Sequence, residues 1–260
     1  PRYDRLSITD ENNNLKYAEW NYGPQGWFLA HTQLTKLSSK SQFYDKIKIN
    51  TAYQNFTESR ISRKFESTDR MIRSESVNAF SFNIDLDKSL SDKINVSYGT
   101  EYLYNRIGSE GVSYNTESDD IEIIASRYPD GSEWSSLASY LSLKYKPNSR
   151  FTFQSGARYN AISIKSDLSP NSQFYPLPFL NASLETSAMS ATAGFSWEQN
   201  DMFLWKLNAT TAFRAPNIDD IGKIFDSQPG CVVVPNSSLK PEYAYGCELG
   251  LSLIHISEPT

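Results

Sequence analysis

Apolar and polar residues alternate with a period of two along most of this chain, the signature of strands with one greasy face. Ile47, Ile49, Thr51 and Tyr53 interleave with Lys48, Asn50, Ala52 and Gln54. Phe80, Phe82, Ile84 and Leu86 do the same with Ser81, Asn83, Asp85 and Asp87. Ile94, Val96, Tyr98, Thr100, Tyr102 and Tyr104 extend the pattern, as do Leu137 to Tyr145, Phe151 to Asn160 and a run ending at Ala191, Ala193, Phe195 and Trp197. Trp27 to Leu37 predicts another strand, its phase left open because Trp27 and Leu29 compete with Phe28 and Ala30. Several alternations run about ten residues, beyond the ~5–6 of soluble strands and close to the ~9–11 that cross a bilayer.

The turns are spaced just as regularly. Tight turns are predicted near residues 40, 91, 148 and 200, so they recur roughly every 51 to 57 residues, with one strand, one long loop and one strand between them. The long loops are expected at about Arg60–Glu75, Gly108–Glu133 and Ser166–Pro178, and Pro1–Gly26 reads as an outer loop with one short strand. Short turns on one side and long loops on the other are the plan of a membrane barrel. The predicted fold is therefore all-β, part of an antiparallel transmembrane β-barrel wall with about eight or nine long strands.

Met202 to Phe213 supplies an energetic test. Phe203, Trp205, Leu207, Ala209 and Phe213 share one face, and Lys206, Asn208, Thr210 and Arg214 the other. A cation facing lipid at mid-bilayer costs ~2–4 kcal/mol, so the apolar set should face lipid and Lys206 an enclosed interior. Aromatics near strand ends (Tyr102, Tyr104, Tyr159, Trp197, Trp205) fit interfacial girdles. A soluble β-sandwich is the competing architecture, and it requires a second sheet stacked on the apolar face.

Composition narrows the function. The 260 residues carry a net charge of −5 with scattered Lys and Arg, which argues against a nucleic-acid partner. Two cysteines, Cys231 and Cys247, are too few for a disulfide scaffold and lack metal-site spacing. Two histidines, His31 and His255, support no serine–histidine–acid set, and no glycine loop cradles phosphate, so neither an enzyme nor a cofactor is implied. Asp119, Asp120 and Glu122 read as solvated loop charge.

One stretch breaks the alternation. After Phe213-Arg-Ala-Pro216, Pro216 ends the strand, Asn217 can cap a short helical turn, and Asp219 and Asp220 fall in its positive first turn. Pro235 and Pro241 hold a return limb extended, and a further strand leaves from Tyr243. The pairing of Phe213, Arg214, Ala215 and Pro216 with Asn236, Leu239, Lys240, Pro241 and Glu242 resembles the paired boxes of TonB-dependent outer-membrane receptors of the haem and siderophore type. Ser237 stands where that pattern commonly has proline.

The resemblance implies a barrel of the bacterial outer membrane, bathed in lipid and coupled to TonB through a plug domain that this sequence does not contain. It implies an extracellular iron complex as ligand, haem or a siderophore. Arg214 and the Asn217–Asp226 loop, with Asp219 and Asp220, are the expected contacts, the boxes themselves also serving to fold an outer loop over the barrel mouth. Haem receptors of this kind often place a histidine between the boxes; residues 217–235 contain none, leaving Tyr243, Tyr245 or Cys231 as substitutes. A passive or structural barrel, a porin or adhesin, is the alternative. Residues 1–252 are assigned to the barrel; residues 253–260 resemble translated adapter read-through and are set outside the fold.

Overall fold

The computed structural model describes residues 9, 14–175, 177, 179–221, 225–228, 231–233, 236 and 238–253. Among the described residues there are thirteen strands: β1 (Tyr17–Tyr22), β2 (Gly26–Leu37), β3 (Lys46–Lys64), β4 (Asp69–Ser91), β5 (Ile94–Asn115), β6 (Ile121–Ile123), β7 (Glu133–Tyr145), β8 (Phe151–Asp167), β9 (Asn181–Glu198), β10 (Phe203–Arg214), β11 (Phe225–Gln228), β12 (Cys231–Val233) and β13 (Glu242–Leu253). A 3-10 turn (Ser169–Asn171) follows β8, and a short α-helix, α1 (Ile218–Ile221), follows β10.

Eleven strands form a single antiparallel sheet in the order β1-β3-β4-β5-β7-β8-β9-β10-β13, with β2 on β3 and β6 on β5. β1 and β2 lie end to end along β3 and act as one edge strand. The break between them falls at Pro24, which has no N–H to donate, while Gly23 N–H still reaches the Ser59 carbonyl at 2.9 Å. The wall is thus nine ribbons wide, each neighbour in sequence also its neighbour in space.

Register sorts the side chains. Following the partners from Leu34 through Ile49, Ile84, Thr100, Ser139 and Tyr159, then Met189, traces one face across seven ribbons. Trp205, Leu207 and Ala209 on β10 oppose Trp197, Phe195 and Ala193 on one side and Leu251, Leu249 and Cys247 on the other. No second sheet covers this face among the described residues: Leu141 is 57% exposed and Leu249 73%. A water-soluble sandwich would stack a sheet there, so the bare apolar band reads as lipid-facing. The phase of β2 is settled as well, because Phe28 lies on this face with its ring 6.3 Å from that of Tyr53.

Aromatics gather where this band meets the tight turns. The Phe153 and Phe195 rings lie 4.9 Å apart, Phe151 and Trp197 stack at 6.1 Å, and Trp205 Nε1–H donates to Gln199 Oε1 at 3.0 Å. Apolar bodies in lipid with polar tips in water suit the membrane interface. The opposite, concave face carries Lys206, Asn208, Gln154, Arg158, Glu101 and Asp85, and there Glu101 accepts from both Arg158 and Asn83. Tyr140 folds over its register partner Gly99, where an added Cβ would lie 2.3 Å from the Ile84 carbonyl oxygen, and donates its hydroxyl to Asp85 at 2.6 Å.

Two expected loops are strands instead. β3 runs to Lys64 and β4 starts at Asp69, so Arg60–Glu75 is the end of a long hairpin closed by Glu66 at φ 60°. β5 likewise continues to Asn115 within the expected 108–133 loop, and β6 pairs back on it. These stretches lost their apolar face beyond the bilayer, and with it the period-two signal, while the ladder hydrogen bonds continued. The ladder of β13 extends through Leu253 opposite Phe203; residues 254–260 lie outside the described residues.

Candidate functional site

Beyond the apolar band, two segments fold onto the concave face at its loop end. The first, residues 124–132, is fastened along β5. Ile124 N–H donates to the Gly111 carbonyl at 2.9 Å, Ile107 N–H to that of Ser132 at 2.9 Å, and Ser109 N–H to Asp130 Oδ1 at 3.0 Å. A glycine at 111 is required: a Cβ there would lie 2.8 Å from the carbonyl oxygens of Ile124 and Ala125. The segment thereby carries Arg127 and Tyr128 over the concave face.

The second is α1. Asn217 Oδ1 accepts from Asp220 N–H at 3.0 Å, and Asp220 Oδ2 accepts from Asn217 N–H at 3.0 Å, a reciprocal cap that satisfies two otherwise orphaned donors. The cap stabilises a turn too short to persist alone, and burial does the rest. Ile218 and Ile221, the latter 0% exposed, pack with Ile162, Ile164 and Leu184 from the concave faces of β8 and β9. Each such side chain contributes on the order of 1.5–3 kcal/mol of docking.

The two sequence boxes meet at this point. Arg214 Nη2 binds both Asp220 oxygens at 3.0 and 3.2 Å, and its Nη1 lies 3.4 Å from Glu242 Oε1, its own register partner across β10 and β13. Phe213, Ala215 and Leu239 border the apolar cluster under α1, and the Phe213 ring also lies 6.4 Å from Tyr243. Asn236 Oδ1 accepts from Ser238 N–H at 2.9 Å and turns the return limb; Lys240 is exposed and Pro241 half-buried. Pro216 ends the β10 ladder. β11 and β12 form a two-stranded sheet within the excursion. Cys247 is an exposed free thiol on β13.

Between these segments and β3–β7 lies a cavity of about 360 Å³. Of the residues expected at a site, Asn217 and Asp219 line it, joined by Ile218. Its other charges were not anticipated: Glu58 and Arg60 on β3, Glu75 on β4, and Arg127. The Arg127 guanidinium sits 3.7 Å from Glu58 and 3.6 Å from Glu75, and 5.2 Å over the Tyr128 ring. Tyr128 donates its hydroxyl to Asp219 Oδ1 at 2.8 Å. Burial, then that bond, push the Tyr128 phenol up to about 12. Burial also raises the Glu75 carboxyl, against the pull of Arg127 and Arg60. The missed signal was parity: Glu75 shares its face with Val77, Ala79 and Asp85, the concave side of β4.

Asp119 and Asp120 stay in the tip beyond β5, Asp119 accepting from Tyr114. Among the described residues no group of three or more His, Cys, Asp or Glu converges as a metal site. Tyr243 and Tyr245 fall on the outer face with Leu249 and Leu251, turned away from the cavity. Cys231 begins β12.

Comparison with known proteins supports the same architecture. No curated protein sequence matches the chain. Among solved structures, the copper transporter OprC superposes with a TM-score of 0.73 at 13% identity, over 89% of this chain and 37% of its own. A double mutant of the Serratia marcescens hemophore receptor HasR, in complex with its hemophore HasA and heme, gives 0.55 at 12% identity, over 87% of this chain and 39% of its own. At these identities the likeness is one of fold, and the chain spans less than half the length of either protein. The family described as TonB dependent receptor-like, beta-barrel, matches residues 1–255, so the chain belongs to the TonB-dependent receptor β-barrel family.

Proposed function

We propose that the chain forms part of the wall and extracellular mouth of a TonB-dependent transporter in the bacterial outer membrane, and that its cargo is an iron complex. The observation that carries this reading is the inward docking of α1 beside a cavity lined by Arg60, Arg127, Glu75 and Asp219. A passive channel needs no such built recess at its mouth. Arg214, Asn217 and Asp219 are the proposed ligand contacts. Phe213, Ala215, Pro216, Asp220, Asn236, Leu239, Lys240, Pro241 and Glu242 hold the loop in place. Coupling to TonB through a plug domain belongs to the same proposal.

Of the two iron complexes, a ferric siderophore is favoured over haem. Haem needs an axial ligand, and the phenol in the cavity, Tyr128, is held protonated by burial and by Asp219. Tyr243 and Tyr245 point outward. A siderophore brings its own iron ligands and asks the protein only for shape and charge. Uptake of ⁵⁵Fe from a panel of siderophores by cells producing the complete receptor tests this, alongside a haemin titration followed in the Soret band. Saturable ⁵⁵Fe uptake without a Soret shift is expected. A saturable Soret shift would replace siderophore by haem, and loss of neither signal on deleting the receptor would remove the transport reading.

A further inference from the structure

The cavity is unbalanced in a specific way. Among its described lining residues, Glu58 and Glu75 share Arg60 and Arg127, and Asp219 accepts from Tyr128. Arg60 is held by Glu58 at 3.4 Å and by the ring of Tyr22, 5.1 Å from its centroid. Arg127 is shared between Glu58 and Glu75 at 3.7 and 3.6 Å, both longer than a hydrogen bond. Glu75 is only 7% exposed, yet neither of its carboxylate oxygens has a hydrogen-bond partner.

A buried carboxyl whose oxygens accept no hydrogen bond, and whose ion pair to Arg127 is long, is poorly compensated unless something supplies donors. What Glu75 lacks is a group with N–H donors within hydrogen-bond reach of its oxygens. The walls around it are aromatic, Phe56, Tyr128 and Trp134, whose faces attract a cation. We infer that the cavity is a subsite for an ammonium group, one that bonds Glu75 and sits against the ring of Trp134. The inference deepens the transport reading by giving the cargo a chemical mark, an amine-bearing complex, and its probe needs no iron.

The test titrates the complete, detergent-purified receptor with benzylammonium and with its neutral analogue, benzyl alcohol, by calorimetry. Saturable benzylammonium binding is expected, at least tenfold tighter than benzyl alcohol and tightening as pH rises and Glu75 ionises. Glu75→Gln should abolish that preference, and Trp134→Leu should weaken it severalfold with Glu75 intact; heat-modifiable gel mobility confirms that each variant is folded. Equal binding of the two probes, or a preference that survives Glu75→Gln, would overturn the subsite. ⁵⁵Fe uptake run in parallel separates the two claims. Uptake retained without ammonium selectivity removes only the subsite, and ammonium selectivity without uptake removes only the transport reading.

Discussion

Arg214 and Glu242 face each other as ladder partners at the loop ends of β10 and β13, and the guanidinium of Arg214 also grips Asp220 in α1. One side chain thus joins both sequence boxes to the helix between them. The Glu242 arm is solvent-exposed and worth little, roughly 0–1 kcal/mol. In the Asp220 arm one nitrogen, Nη2, reaches both carboxylate oxygens, and the arm is partly shielded and fixed by the cap on Asn217. Arg214→Ala removes this grip and leaves the cap in place. Amide hydrogen exchange at Asp220 and Ile221 should therefore speed up severalfold in Arg214→Ala and in Asp220→Asn, and change little in Glu242→Gln. Equal acceleration in all three would place the grip elsewhere.

The docking of α1 rests on burial more than on this clamp. Ile221→Ala removes a fully buried side chain, a change that costs ~2–5 kcal/mol in a core. Asn217→Ala loses a cap worth ~1 kcal/mol. Both substitutions leave the β-ladder intact. Exchange at residues 218–221 should rise far more in Ile221→Ala than in Asn217→Ala, while heat-modifiable mobility of the barrel stays as in the parent. Loss of the folded barrel band would mean that α1 belongs to the global core.

The wall was legible in the sequence wherever one face meets lipid. The alternations at Ile47–Gln54, Phe80–Asp87 and Phe203–Phe213 fixed both strand and facing, since a one-residue slip would invert every side chain. The pattern faded at Arg60–Glu75 and Gly108–Asn115, where strands leave the bilayer and both faces turn polar, so those hairpins read as loops. The cap at Asn217 was legible because its chemistry is local. The cavity was not. Glu58, Glu75 and Arg127 are distant in sequence, and only the register of β3 on β4 and the crossing over Gly111 bring them together.

The lipid-facing assignment makes a sharp contrast between neighbouring positions. Ala209 lies on the bare apolar face between Ala193 and Cys247, and Thr210 points to the concave side. Ala209→Arg should cost ~2–4 kcal/mol and Thr210→Arg much less. Urea titration of the complete receptor folded into phosphatidylcholine vesicles measures the difference. Equal costs would mean that the face near Ala209 does not contact lipid.

Gly111 makes a second positional prediction. Gly111→Ala places a Cβ against the Ile124 and Ala125 carbonyls, so the 124–132 segment must lift from β5 and take Arg127 with it. Fluorescence quenching of Trp134 by acrylamide should increase, because that side chain lines the cavity beneath the segment. Gly131→Ala is the control: its φ of +74° makes substitution strained, but the nearest side-chain atom lies 3.8 Å away, so the strain stays local.

Glu75 sits on β4 beyond Phe80, outside the apolar band, and its titration should set how firmly the cavity walls close. The groups facing it are Glu58 and Arg60 on β3, Arg127 and Tyr128 on the 124–132 segment, and Asp219 on α1. Burial is the main cause of its raised pKa, with Arg127 and Arg60 opposing. A carboxyl raised on folding binds a proton that the open state releases, so its contribution is fully present below the open-state value of 4.5 and is lost as pH rises through the folded one. Closure should therefore be tighter at acid pH. Amide exchange at residues 127–128 and 218–221, corrected for the intrinsic base dependence of exchange, should show more opening at pH 7.5 than at pH 5, and Glu75→Gln should flatten that difference. A slope that persists in Glu75→Gln would show that Glu75 does not set the closure.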